Sequence, residues 1–65
     1  MSFAENLKLL RKANNIDQKE LAKAINVSPK TISHWETGYT EPSILQLIAL
    51  ANTFNVTLDE LVDRQ

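Results

Sequence analysis

The amino-acid sequence predicts an all-α fold, in which five short helices form a single domain over residues 1–65. Three observations lead to this class. Helix-start signatures occur at five places, and apolar residues follow them at helical spacing. No alternating pattern of apolar and polar residues competes with these helices for interpretation as a β-strand. The chain of 65 residues, 43% of them hydrophobic, has room for one small core.

Four of the helix starts are capping boxes, in which Ser, Thr or Asp precedes Glu or Gln by three residues. Side chains at this spacing satisfy two backbone amides that the first helical turn leaves unpaired. The four pairs are Ser2 with Glu5, Asp17 with Glu20, Ser43 with Gln46 and Thr57 with Glu60. The fifth start is Ser28 followed by Pro29, because proline is tolerated at the first helical position.

These starts predict helices over residues 3–14, 18–25, 29–37, 44–54 and 58–63. Hydrophobic staples, which pair the residue before the cap with the fourth helical residue, support three of them. The stapled pairs are Ile16 with Leu21, Val27 with Ile32 and Val56 with Leu61.

The first three helices carry apolar stripes that predict buried faces. The stripes consist of Phe3, Leu7, Leu10 and Ala13 in the first helix, Leu21, Ala22 and Ile25 in the second, and Ile32 and Trp35 in the third. The fourth helix is apolar over more than half of its circumference, so we expect it to be the central helix of the domain. Its apolar residues are Ile44, Leu45, Leu47, Ile48, Leu50, Ala51 and Phe54. The fifth helix adds Leu58, Leu61 and Val62.

The net charge of −1 and the pI of about 5.7 conceal an uneven distribution. Residues 1–30 carry six basic and three acidic side chains, a net charge of +3, whereas residues 31–65 carry one basic and five acidic ones, a net charge of −4. This asymmetry indicates a basic working end and an acidic opposite end. Chance scatter of solvated side chains is the alternative explanation.

The turn between the second and third helices is the most informative feature of the chain. Only Asn26, Val27 and Ser28 separate the two helices, and so short a turn sets them at the steep angle of a DNA-binding helix-turn-helix. Ala22 allows the two helices to approach closely. Asn26 tolerates the left-handed backbone conformation that such a turn requires.

The segments DQKELAKAINVS, TISHWETG and EPSILQLIALANTFNVTLDEL follow one another in this order and at this spacing. On these residues the sequence resembles the lambda-repressor/Cro-like (XRE) helix-turn-helix family, from about Leu7 to Val62. One departure is Asn26, where the family usually has Gly. The resemblance implies a cytoplasmic, sequence-specific DNA-binding transcriptional regulator of a bacterium or phage. We expect a repressor that binds a palindromic DNA operator as a homodimer.

The third helix is expected to read the bases. At about 100° per residue, Ile32 and Trp35 face inward while polar residues face outward, and the start of this helix enters the major groove in this motif. The expected base contacts, some from this projection and some from the resemblance, are Ser28, Pro29, Lys30, Ser33 and His34. Pro29 is a departure from the family, because it offers only an apolar contact such as one to a thymine methyl group.

The expected phosphate contacts lie on either side of the third helix. Gln18 matches the family's glutamine that anchors a phosphate and braces the recognition helix, and amides at the start of its helix add affinity for phosphate. After the third helix, Thr37, Tyr39 and Thr40 form a polar loop that can hydrogen-bond the DNA backbone. For Lys30 and His34 in the third helix, the alternative is an ordinary solvated surface side chain.

Three residues are expected to be structural. The inward register of Trp35 makes it a core residue rather than a stacking platform for a base. The resemblance implies a partly buried salt bridge between Arg11 and Glu36, which would hold the recognition helix in its orientation. The alternative for Arg11 is a contact with phosphate.

Metal binding, catalysis and membrane insertion find little support in the sequence. One His and no Cys leave almost no ligands for a transition metal, and the caps account for the carboxylates of Glu5, Asp17 and Glu20. We expect no enzyme activity, no cofactor and no small-molecule ligand. The longest nearly apolar stretch, residues 44–51, is far too short to span a membrane, and no export signal opens the chain.

The C-terminal part offers more apolar surface than a small core needs. We expect a two-fold interface through Asn55, Thr57, Leu58 and Val62, which would place two recognition helices about one DNA turn apart, roughly 34 Å. Burial within the monomer is the alternative. A further alternative for the whole chain is a protein-binding helical module, such as an antitoxin-type partner, that kept the fold with weak DNA binding. The last alternative is that the chain is the headpiece of a longer repressor.

Overall fold

The computed structural model describes residues 2–62 and contains the five predicted helices. They are α1 (Phe3–Ala13), α2 (Gln18–Ala24), α3 (Pro29–Glu36), α4 (Ile44–Phe54) and α5 (Leu58–Val62). Every helix in this range begins at the predicted residue, and those of α1, α2 and α3 end one residue earlier than predicted. Residue 63, the predicted end of the fifth helix, lies outside the described residues, as do the charged side chains of Asp63 and Arg64.

The predicted caps account for the agreement at the helix starts. At α5, the amide of Thr57 donates to Glu60 Oε1 over 2.8 Å, and the amide of Glu60 donates to Thr57 Oγ1 over 3.1 Å. Equivalent boxes open α1, α2 and α4, and at α3 the Ser28 hydroxyl accepts a hydrogen bond from the Thr31 amide. These bonds form within four residues, so local sequence determines them.

The capping bonds also make two helix starts sensitive to acid. Hydrogen bonds from the Ser2 backbone lower the pKa of Glu5, and hydrogen bonds from the Thr57 backbone lower the pKa of Glu60. A carboxyl whose pKa is lower in the folded chain stabilises it above the pKa of the unfolded chain. That stabilisation is lost as the pH falls through the folded pKa.

Three helices end in asparagine-containing turns with a left-handed backbone. Asn15, Asn26 and Asn55 have φ angles of 56°, 61° and 57°. Asparagine is one of the few residues other than glycine that adopts this conformation at low cost. The left-handed turn at Asn26 agrees with the prediction from the sequence.

The core joins all five helices. Its buried apolar residues are Leu7, Leu21, Ala22, Ile32, Trp35, Leu50, Ala51, Phe54 and Leu61. The three outer members of the predicted staples, Ile16, Val27 and Val56, pack against it from its edge. The prediction that Ala13 is buried is wrong, because Arg11 takes the buried position at this end of α1 while Ala13, the last helical residue, is exposed.

The prediction that α4 is the central helix is also wrong. α1 packs against both α3 and α5, whereas α5 is the main helical neighbour of α4. Only the second half of α4 is buried, and Ile44 and Leu45 in its first turn remain 73% and 79% exposed. A wide apolar circumference shows that a helix can be buried on many sides, but the positions of its neighbours decide which sides are. Within residues 2–62, no helix has the length and hydropathy to cross a membrane.

Two leucines of α4 provide a test of this arrangement. Leu50 has 0% exposure, so Leu50→Ala should lower the free energy of unfolding by about 2–5 kcal/mol through lost burial and an unfilled cavity. Leu45→Ala, the matched control on the same helix, should change it by less than about 0.5 kcal/mol. Chemical denaturation followed by Trp35 fluorescence measures both values. A cost for Leu45→Ala equal to that of Leu50→Ala would contradict the exposed position of Leu45.

Candidate nucleic-acid interface

The helix-turn-helix unit consists of α2, α3 and the turn at residues 25–28. The turn is closed by the Val27 amide, which donates to the Ala22 carbonyl over 2.9 Å. Ala22 itself is 1% exposed, and α2 packs directly on α3. A small side chain at this position therefore lets the two helices approach closely, as the sequence predicts.

Helix α3 separates its core side chains from its polar ones. Ile32, Trp35 and Glu36 are buried, so this side of the helix is anchored in the domain. The side chains expected to contact bases are exposed in the first turn and half-buried one turn later. The exposed ones are Ser28, Pro29 and Lys30, and the half-buried ones are Ser33 and His34.

One of these candidates already has a structural role. Ser28 Oγ accepts a hydrogen bond from the Thr31 amide over 3.1 Å and lies 2.9 Å from Thr31 Oγ1. A hydroxyl has one donor and two acceptor sites, so part of the hydrogen-bonding capacity of Ser28 is used within the protein. Thr31, which the sequence analysis did not single out, shares this end of α3. Its position three residues after the cap is the sequence signal that could have identified it.

The buried charges of Arg11 and Glu36 form the ion pair that the resemblance implies. Arg11 Nε lies 2.6 Å from Glu36 Oε2, and Arg11 Nη2 lies 3.2 Å from Glu36 Oε1. The side chains of the pair are only 11% and 3% exposed. Hydrogen bonding to Glu36 is the main cause that raises the pKa of Arg11. All three kinds of guanidinium nitrogen donate inside the protein, because Nη1 binds the Ile16 carbonyl over 2.9 Å.

Gln18 extends this ion pair to the start of α2. Its side-chain amide donates to Glu36 Oε1 over 3.1 Å. The contact brings Gln18, an expected phosphate contact, to the same end of α3 as the loop of residues 37–40. Within residues 2–62, every buried side-chain nitrogen or oxygen has a hydrogen-bond partner. The network from Arg11 through Glu36 to Gln18 is therefore complete, and it connects α1, α2 and α3.

The loop after α3 folds back onto His34. The His34 carbonyl accepts hydrogen bonds from the Tyr39 amide over 2.9 Å, from the Thr40 amide over 3.4 Å and from Thr37 Oγ1 over 3.2 Å. Gly38 has a φ of 79°, and this angle, rather than lack of space, requires glycine there. The rings of His34 and Tyr39 pack with centroids 4.8 Å apart, a contact that no pattern in the sequence indicated.

The ion pair changes how the uneven charge distribution should be understood. Arg11 and Glu36 neutralise each other across the two halves of the sequence. Residues 1–30 then retain five lysines, all exposed, against the carboxylates of Glu5, Asp17 and Glu20. The basic excess persists but is smaller than the sequence alone indicates, and three of the lysines lie on α2 and α3.

The residues expected at a two-fold interface lie apart from the helix-turn-helix unit. Asn55 forms the left-handed end of α4, and Thr57 uses its hydroxyl to cap α5. Leu58 is 44% exposed, and Val62 is half-buried. Asn55, Thr57 and Leu58 therefore lie at the junction of α4 and α5, whereas Val62 is at the far end of α5. Of the four, Leu58 is the most exposed apolar side chain.

The amino-acid sequence is similar to those of helix-turn-helix transcriptional regulators. A helix-turn-helix family model matches residues 7–61. The HTH-type transcriptional activator BcrR of Enterococcus faecalis is 40% identical over 62 residues, which cover 95% of this chain and 30% of BcrR. The chain spans 30% to about half of the length of the first curated relatives that it matches.

Two solved structures illustrate the range of proteins that contain this fold. The P22 c2 repressor, determined in complex with a synthetic operator, has a TM-score of 0.90 and 34% identity, over 95% of this chain and 94% of the repressor. Hydroxypropylphosphonic acid epoxidase from S. wedmorenis has a TM-score of 0.85 and 31% identity, over 92% of this chain and 32% of the epoxidase. The fold therefore also occurs as part of an enzyme, and function has to be argued from the site.

The buried ion pair generates a test of the network. Arg11→Met leaves Glu36 buried without its cation, so the free energy of unfolding should fall by about 3–5 kcal/mol. Lys12→Met removes a cation from the next, exposed position and should cost less than about 0.5 kcal/mol. The double substitution Arg11→Met/Glu36→Leu should cost less than Arg11→Met alone, because no unpaired charge remains. Equal denaturation midpoints for Arg11→Met and Lys12→Met would contradict this role.

Proposed function

This chain belongs to the lambda-repressor/Cro-like (XRE) helix-turn-helix family, and from this membership we propose that it binds a specific double-stranded DNA operator and regulates transcription in the cytoplasm. The observation that carries the proposal is the two-sided character of α3. Its apolar side is buried, and its polar side is exposed in the first turn, next to the tight turn from α2, and half-buried one turn later. Helix-turn-helix proteins place such a helix in the major groove. The likeness to a repressor determined with its operator supports this docking mode.

Base reading is assigned to the outward side chains of α3. Lys30, at the start of the helix, donates to guanine O6 and N7 or to a phosphate. Ser33 and His34 reach base edges one turn later. Pro29 and Ser28 approach the bases at the helix start, where Pro29 contributes an apolar contact to a thymine methyl group.

Phosphate contacts are assigned to the two segments at the other end of α3. Gln18 keeps hydrogen-bonding capacity beyond its bond to Glu36, because an amide nitrogen has two donors. Thr37, Tyr39 and Thr40 are exposed in the loop that follows. Contacts from both segments would fix the position of α3 on the duplex without reading sequence.

We assign the chain to repression by occupancy of a palindromic operator, as a homodimer. Two-fold symmetry in the protein matches two-fold symmetry in the operator, and it doubles the set of base contacts. The exposed Leu58, with Asn55, Thr57 and Val62 around it, supplies the self-complementary surface. No catalytic role belongs to this proposal.

Random-site selection followed by titration across salt concentrations tests DNA binding. Selection should recover a short palindrome, and the logarithm of the binding constant should fall steeply with the logarithm of salt concentration. Lys30→Ala should flatten this slope by about one per subunit if Lys30 meets a phosphate, or relax discrimination at one position of each half-site if it reads guanine. Lys8→Ala, which removes the same charge from an exposed position on α1, should do neither at comparable size. Recovery of no sequence at low salt would reject DNA binding in favour of a protein partner.

Half-site and full-site DNA test the homodimer. The chain should bind the full palindrome with two copies and more tightly than either half-site alone. Leu58→Asp places a charge in the proposed interface and should reduce full-site affinity toward that for a half-site. Leu45→Asp introduces the same charge at another exposed leucine and should leave the ratio unchanged. One copy bound to a full palindrome, with no preference over the half-site, would contradict the homodimer.

A further inference from the structure

His34 and Tyr39 form a ring contact near the C-terminal end of α3. Their centroids are 4.8 Å apart, and their planes are inclined by 60°. Favourable aromatic pairs have centroid separations of about 4.5–7 Å and are offset or tilted, because the edge of one ring is attracted to the face of the other. The geometry of this pair is therefore attractive.

The backbone of the loop sets up this contact. Three hydrogen bonds converge on the His34 carbonyl, and two of them come from the amides of Tyr39 and Thr40. The left-handed Gly38 turns the chain so that Tyr39 returns to the helical turn that carries His34. The backbone of Tyr39 is thus bonded directly to the His34 carbonyl, which places the two side chains next to each other.

The contact contributes little to the core. Tyr39 is 76% exposed, and the residues that anchor α3 from within are Ile32 and Trp35. The ring of Tyr39 therefore has little part in the core, and the ring contact that it makes is with His34. His34 is a side chain assigned above to base reading.

A histidine reads bases well only when its ring is oriented. The neutral imidazole presents a donor on one nitrogen and an acceptor on the other, so rotation of the ring changes the base edge that it matches. A free side chain must also lose rotamer freedom when it binds. A neighbouring ring that holds the imidazole in advance removes both problems.

We propose that Tyr39 is a positioning residue that determines specificity, because its ring holds the His34 imidazole in the orientation that meets one base pair in each half-site. The proposal rests on the DNA-binding function inferred above and names the residue behind one element of its specificity. This role differs from the phosphate contact assigned to Tyr39. A phosphate contact uses the hydroxyl, and its loss lowers the affinity for all DNA sequences alike. The ring contact needs no hydroxyl and acts at one base position.

Substitutions at both residues separate these roles. Tyr39→Phe keeps the ring and should preserve the base preference at every operator position. Tyr39→Ala should reduce the preference at one symmetric position by about two- to tenfold, the worth of an aromatic pair. His34→Ala should relax the same position, and His34→Ala/Tyr39→Ala should relax it no further, because the effect of Tyr39 acts through His34.

A measurement without DNA checks the contact itself. The sequence contains one histidine and one tyrosine, so the imidazole proton resonances in an NMR spectrum belong to His34 alone. Tyr39→Ala should shift them by removing the ring current of Tyr39, and Tyr39→Phe should leave them nearly unchanged. The Tm of Tyr39→Ala should stay near that of the unaltered chain, because Tyr39 is mostly exposed.

The possible results separate this proposal from the function on which it rests. A chain that selects no DNA sequence overturns both. A chain that selects an operator overturns only the role of Tyr39 if Tyr39→Ala weakens all sequences equally, if Tyr39→Phe behaves as Tyr39→Ala, or if the two alanine substitutions add at different positions. Imidazole resonances that do not respond to Tyr39→Ala also overturn it.

Discussion

The buried ion pair between Arg11 and Glu36 is the constraint on which the arrangement of the helix-turn-helix depends. Two charges removed from water are costly, and only complete hydrogen bonding offsets the loss of hydration. The Ile16 carbonyl and the Gln18 amide complete it, so the start of α2 and the chain before it must lie against the end of α3. An apolar pair would permit sliding between these helices, whereas directional bonds from a planar guanidinium fix one orientation.

This constraint acts at one end of α3 and leaves the other end to local forces. At the start, Ser28 and Pro29 define the first turn without help from distant residues. Ile32 and Trp35 then anchor the middle in the core. Because the helix has only eight residues, an anchored middle and a bonded end leave little freedom for its outward side chains. Rigid elements hold binding groups more accurately than mobile loops do.

Features that depend on neighbouring residues in the sequence could be predicted, whereas features that depend on contacts between distant residues could not. The helix starts and the turn at Asn26 depend on residues within about four positions, and the structure has them where the pattern places them. The exposure of Ala13 and of the first turn of α4 depends on which helices lie nearby in space. For these residues the apolar pattern predicted burial, and the structure shows them exposed. The bond from Gln18 to Glu36 spans 18 residues, and the contact of His34 with Tyr39 depends on a loop conformation, so neither leaves a periodic signal.

The same geometry bears on how a chain of net charge −1 could bind a polyanion. Pairing removes Arg11 from the charges available to DNA, which leaves only five exposed lysines among the described residues to attract phosphates. Few phosphate contacts mean modest non-specific affinity, so under the proposed function a larger share of operator affinity would come from base contacts and from a second copy. Base contacts are worth most when their side chains are ordered before binding. If His34 reads a base as proposed, packing that orders its side chain before binding would supply part of the affinity that a small basic surface does not.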